Sequence, residues 1–277
     1  EGLREIINDP DKRKKLIIYI NPPYAEAATT RQKTGSGGNK AKVARNNRVA
    51  NTYGQLLGAA ANEVYAQFMR EIPGCVLAHF SKIKCLAAPN FHKFRKTFKS
   101  ELKSIFIVPA DTFDNVTGNF PIGFFLWRYS QSAEFKTIPA DVYEKHGNHI
   151  AIKEIVAPEP KRLLMDWLKE LHDKSGKRIA YLRMLGSDIQ NNNGVFITNT
   201  PSTSDLKQRK TCDITINNLY GIAVYFAVRH IIAPTWINDR DQYNYPSNEW
   251  IDDIEFQNDC LAYTLFSGQL RVNQSGE

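Results

Sequence analysis

Leu16-Ile17-Ile18-Tyr19-Ile20-Asn21-Pro22-Pro23-Tyr24 is the stretch whose reading decides the fold. An apolar, β-branched run with no polar alternation suits a strand buried on both faces of a parallel sheet. Proline has no amide hydrogen, so pairing stops at Pro22 and the tetrapeptide falls at the carboxyl end of the strand.

Outward from this point the chain keeps an α/β rhythm. No acidic residue occurs between Ala27 and Asn62, where Arg31, Lys33, Lys40, Lys42, Arg45 and Arg48 surround Thr34-Gly35-Ser36-Gly37-Gly38-Asn39. This reads as a long basic loop. Tyr53, Leu57, Ala61, Val64 and Phe68 then recur at helical spacing and predict a helix that stops before Pro73-Gly74. Cys75–Phe80 reads as a second buried strand. Phe91, Phe94, Phe98 and Leu102 again follow helical spacing, and Ser104–Val108 reads as a third strand closed by Pro109. Phe120–Tyr129 is a further strand, reached through Asp114-Asn115-Val116-Thr117-Gly118, a link too short for a helical crossover. It is expected to run antiparallel to its predecessor.

Beyond Gln131 the alternation fades. Pro158-Glu159-Pro160 suggests a linker, Leu163–Leu171 a helix, Arg178–Leu185 a strand, Gln190–Gly194 a polar stretch, and Leu219–Ile232 and Phe256–Phe266 two helices.

Composition narrows the classes. With 277 residues, 42% of them hydrophobic, the chain can bury a real core. No apolar stretch reaches the length of a membrane span and no secretory signal is legible, so an intracellular protein is expected. Cys75, Cys85, Cys212 and Cys260 lack the spacing of a zinc site or a disulfide scaffold and read as buried thiols. The net charge of +7 favours a polyanionic partner. His146-x-x-His149 has no accompanying ligand framework and reads as a surface loop, with no metal expected. Asp239, Asp241, Asp252, Asp253 and Glu255 read as a solvated acidic face.

Asn-Pro-Pro can simply end a strand, but it also has a chemistry. An aromatic amine is a poor nucleophile because its lone pair is delocalised into the ring; two acceptors aimed at its hydrogens draw the nitrogen towards tetrahedral geometry. Asn21 offers a side-chain carbonyl and Pro22 a backbone carbonyl free of sheet pairing. Pro23 stiffens the turn, and the flat ring of Tyr24 can stack on an extruded base.

Strand–Asn-Pro-Pro-Tyr resembles the motif of amino-methyltransferases, especially the N6-adenine enzymes of the large type IIG-like restriction-modification group. That family follows the motif with a basic Gly-rich loop and a helix, then places Phe-Pro-Ile/Val-Gly-Phe on a late strand; here Phe120-Pro121-Ile122-Gly123-Phe124 stands in that place. The resemblance covers roughly residues 14–129. Thr235-Trp236-Ile237-Asn238-Asp239-Arg240-Asp241-Gln242 and Phe256-Gln257-Asn258-Asp259-Cys260-Leu261 are also similar to segments of long bacterial members.

The resemblance implies an α/β fold: the second half of a doubly wound methyltransferase sheet over residues 1–130, followed by a mixed α+β extension over 131–277 that helps recognise DNA or packs on the catalytic part. It implies S-adenosylmethionine as cofactor, a flipped adenine of double-stranded DNA as substrate, and the bacterial cytoplasm as location. Asn21, Pro22, Pro23 and Tyr24 would be catalytic, with Lys40, Lys42 and Arg45 contacting substrate and Phe120 a secondary candidate beside the flipped base, buried packing being the other reading of its aromatic run. One departure matters. The family's Phe/Asp-x-Gly-x-Gly cofactor loop precedes the motif by more residues than stand before Asn21, whereas Gly35-Ser36-Gly37-Gly38 follows Tyr24. Most of the cofactor site is therefore expected upstream, and the chain reads as the catalytic C-terminal half of a longer enzyme, inactive alone.

Other readings stay open. Protein-glutamine methyltransferases share Asn-Pro-Pro-Tyr but end about one strand-helix-strand unit after it, while this chain runs on to Glu277. An RNA adenine is accessible by the same chemistry. A cytosine C5 enzyme needs a cysteine after proline, and the four here follow Gly74, Lys84, Thr211 and Asp259. A non-catalytic DNA-recognition or assembly module is the alternative outside enzymology.

Overall fold

The computed structural model describes residues 2–22, 47–63, 66, 74–114, 116, 118–129, 137–156, 162–239 and 241–272. The chain divides into two compact units, Glu1–Glu159 and Pro160–Glu277.

In the first unit the Leu3–Asn8 and Pro10–Arg13 helices precede β1 (Ile17–Ile20), and Asp9 caps the second of them through the amides of Asp11 and Lys12. β2 (Val76–Lys82), β3 (Ser100–Pro109), β4 (Pro121–Tyr129), β5 (Thr137–Tyr143) and β6 (His149–Val156) complete a six-stranded mixed sheet in the order β1-β2-β4-β3-β5-β6. β1 is parallel to β2 and β3 to β5, whereas β4 lies reversed between β2 and β3. The antiparallel direction expected for the late aromatic strand is therefore present, and the sheet does not end near residue 131: β5 and β6 extend it.

β4 explains its own sequence. Pro121 pairs with Pro109 at the strand ends, where a missing amide breaks no interior ladder. Ile122 and Phe125 are fully buried and Trp127 nearly so. Gly123 sits where a Cβ would meet the Phe125 ring at 2.8 Å and Ile83 at 3.1 Å, so the ring occupies the space a larger residue would take.

Three expectations are corrected. β1 is not buried on both faces: Ile17 and Tyr19, on one face, are 64% and 61% exposed, and among the described strands β1 is an edge paired only with β2. Leu102 belongs to β3 rather than to a helix; the helix is His92–Thr97, and the alternating burial of Ser100 and Leu102 continues the spacing of the phenylalanines by coincidence. The helix over Tyr53 runs Arg48–Leu57 and stops at Gly58, whose φ of +58° is left-handed, before a 3₁₀ turn over Gly58–Asn62.

The second unit stacks helices on one face of a four-stranded sheet of β7 (Arg178–Arg183), β8 (Phe196–Thr198), β9 (Thr211–Thr215) and β10 (Leu270–Arg271), in the order β10-β8-β7-β9. The Leu164–Glu170 and Leu219–His230 helices supply its core. Gly221–Ala227 is buried throughout, as expected of a helix apolar on all sides. Arg229, near the end of that helix, is wholly buried, donates to the Asp188 carbonyl at 3.3 Å and lies 5.1 Å from the Tyr243 ring centroid. Gln190–Gly194 falls within a 3₁₀ segment, Ile189–Gly194, and a helix spans Ile254–Phe266.

Candidate active site

Asn21 and Pro22 leave the sheet directly after β1, where Ile20 pairs with His79 of β2. Asn21 is exposed and Pro22 buried. β2 continues past His79 to Lys82, opposite Ile122, and Ile122 pairs in turn with Val108 near the end of β3. Asn21, Lys82, Pro109 and the start of β4 thus share one end of the sheet, the carboxyl end of its parallel strands.

Phe120 stands at that end, one residue before β4. Its carbonyl accepts from the Ala110 amide at 2.9 Å, and its ring packs with the buried cluster of Val108, Ala110 and Ile122. Gly118, at φ +142°, lets the ring approach to within 2.6 Å of where a Cβ would stand. Lys82 Nζ lies 5.5 Å from the Phe120 ring centroid, close enough for a cation–π contact. Phe80, Phe106, Phe113 and Tyr143 join the same aromatic group.

Lys82 is a feature the sequence reading passed over. Ending the strand at Phe80 cut off the polar Ser81-Lys82, although a lysine closing an apolar strand was the available signal. His79 was passed over as well. It is fully buried, stacks on Phe125 at 4.8 Å between ring centroids, and accepts at Nε2 from Trp127 Nε1–H at 2.9 Å. Burial pulls its pKa from the ordinary 6.5 to about 4, against a smaller opposing effect of the Phe80 backbone. The imidazole is neutral at pH 7, and the Trp127 donation leaves its proton on Nδ1. Such a ring locks β2 to β4 beside the residue that precedes Asn21.

Pro23, Tyr24, Lys40, Lys42 and Arg45 lie outside the described residues. All four cysteines are buried free thiols. Burial pushes Cys85 and Cys212 up to about 12 and Cys260 to about 11, which suits packing rather than nucleophilic chemistry. His149 opens β6 and contacts Asp141 at 3.2 Å. Among the described residues no group of three His, Cys, Asp or Glu side chains could hold a metal ion. Asp252, Asp253 and Glu255 are exposed, and Asp253 caps the last helix through the Phe256 amide. Among the described residues no helix is long and apolar enough to cross a membrane.

No family model and no curated protein matches this sequence. Among solved structures the chain is similar to the Type IIL restriction-modification enzyme MmeI in complex with DNA, with 9% identity and a TM-score of 0.36 over 72% of this chain and 26% of that one. It is also similar to the ATP-dependent Type ISP restriction-modification enzyme LlaBIII bound to DNA, with 12% identity and a TM-score of 0.30 over 66% of this chain and 15% of that one. A third is the DrdV–DNA complex, with 14% identity and a TM-score of 0.29 over 63% of this chain and 20% of that one. The chain spans about a quarter or less of the length of each.

Proposed function

We propose that this chain carries the catalytic edge of a DNA adenine N6-methyltransferase belonging to a restriction-modification enzyme, the second half of its doubly wound sheet. The observation behind the reading is the position of Asn21-Pro22, immediately after a strand that is parallel to its neighbour and at the sheet end where Phe120 and Lys82 also stand. Open α/β sheets bind their ligands outside the carboxyl ends of such strands.

The side-chain carbonyl of Asn21 and the backbone carbonyl of Pro22 accept the two N–H bonds of the adenine amine and localise its lone pair on nitrogen. Tyr24 offers its ring face to the extruded base, and Phe120 is a second apolar neighbour for it. Lys40, Lys42 and Arg45 hold backbone phosphates. S-adenosylmethionine, when bound, supplies an electrophilic methyl group on a sulfonium sulfur. With the amine held in this way, Asn21 and Pro22 would present its lone pair to that methyl group.

The residues present fit one wall of such a cofactor site. Asn21 is exposed and the outer face of β1 is open. Among the described residues, no glycine-rich turn joins a strand directly to a helix in the way that lets a backbone approach a nucleoside. We place the rest of the cofactor site in other parts of the longer enzyme.

In that enzyme Asn21→Ala should lower methyl incorporation into duplex DNA by about 10²–10³-fold, the loss typical of one transition-state hydrogen bond, with DNA affinity largely kept. Radiolabelled methyl transfer and a binding titration read the two quantities. Turnover close to that of the unaltered enzyme would remove Asn21 from the chemistry and leave the non-catalytic DNA module as the better reading.

A further inference from the structure

The four-stranded sheet of the second unit has two unlike faces. One, carrying Ala180, Leu182, Ile197, Cys212 and Ile214, is buried in the core. On the other, the alternation of β7 and β8 places Tyr181, Arg183 and Phe196, with Arg183 directly opposite Phe196. Arg178 lies with its guanidinium carbon 4.4 Å from the Tyr181 ring centroid, and Phe196 has two such neighbours, Arg271 at 3.9 Å and Arg183 at 5.3 Å.

We propose that the arginines along this face hold the phosphate backbone of duplex DNA. The choice of DNA as the polyanion rests on the methyltransferase reading; the surface itself rests on the geometry. A guanidinium laid on a ring is held in place by a partner that leaves its charge intact, so the N–H edges of the exposed Arg178 and Arg271 stay available to an anion, whereas Arg183 already donates to the Gly194 carbonyl at 2.6 Å. Two carboxylates face these cations, and the excess positive charge rests on Arg271, Arg209 and Lys210. Asp213 is 3.7 Å from Arg178 and Asp205 is 3.0 Å from Arg183, while Arg271 donates to the neutral Gln269. Lys210 adds further positive charge: its carbonyl accepts from the Met184 amide just beyond β7. Arg209, its neighbour, is exposed.

The rings also decide the mode of contact. Aromatic platforms for single strands stack bases on open ring faces, whereas both rings here already carry guanidinium groups. A base would have to displace an arginine, while a phosphate meets the arginines where they lie. Contact is therefore with backbone, independent of sequence and sensitive to salt.

The test is fluorescence anisotropy of a labelled duplex with the full chain across a series of salt concentrations. Each lost phosphate contact removes about 0.9 from the slope of log affinity against log salt. Arg178→Gln with Arg271→Gln should therefore flatten the slope by about 2, and lysine at both positions should restore most of it. Both side chains are solvent-accessible, and thermal melts of each variant check that the unit remains folded. An unchanged slope in the glutamine variant overturns the proposal, as does a folded unaltered chain that fails to bind the duplex at low salt. A flattened slope with single-stranded DNA but not with duplex overturns it too. The slope is read from binding alone and the methyl-transfer reading from turnover, so failure of this surface and failure of that reading are separable.

Discussion

β1 and β4 belong to one sheet and are written in similar apolar residues, yet they end in different surroundings. Ile122 and Phe125 of β4 are fully buried, while Ile17 and Tyr19 of β1 are more than half exposed. The difference lies in the faces: the side of β1 that carries Ile17 and Tyr19 is open, whereas β4 is covered on both sides. An apolar run states a capacity for burial; the neighbours decide whether it is used.

The comparison is broken most forcefully at β4. Phe125→Ala removes a wholly buried ring that stacks on His79 and Trp127, and should cost about 3–5 kcal/mol in chemical denaturation of the first unit. A loss below about 1 kcal/mol would mean that the centre of the sheet is as loosely packed as its edge.

A smaller effect comes from pH. The folded-state pKa of His79 lies below its unfolded value, so the unfolded chain binds the extra proton more readily. Stability from this group is present above about pH 6.5 and is lost as pH falls towards 4, a decrease of about 3 kcal/mol over that window. Denaturation midpoints measured across the window should slope accordingly, and the slope should flatten in His79→Gln. If the two profiles coincide, His79 is not the group being titrated.

The smallest effect is expected at the edge. Ile17→Thr or Tyr19→Thr, both on the open face of β1, should shift the stability of this chain by no more than about 0.5 kcal/mol. The same substitutions in a longer enzyme that covers β1 should cost about 1–3 kcal/mol each. Equal effects in the two contexts would show that nothing packs on that face.

These contrasts explain what was legible. β4 could be read because Phe120-Pro121-Ile122-Gly123-Phe124 combines a chain stop, a small residue and large apolar ones that are meaningful only in a crowded strand. The Leu219–His230 helix was legible only in its length, because its β-branched and aromatic residues suit a strand as well; burial on nearly every side fits so apolar a run. β5 and β6 were not read. Their burial is mostly partial or absent, Pro139 interrupts the first, and a strand that buries little shows little alternation. At the candidate site, Asn21 and Pro22 announced themselves through the chain stop. Lys82 and His79 did not, because their roles depend on the rings of Phe120 and Phe125, which lie far away in sequence.

The buried thiols have a practical consequence. Cys75 and Cys85 lie in the first unit and Cys212 and Cys260 in the second, each no more than 5% exposed. A thiol in that state reacts only when its surroundings open. Alkylation followed by peptide mass spectrometry would therefore time the opening of each unit separately, with two internal clocks apiece and no engineered label.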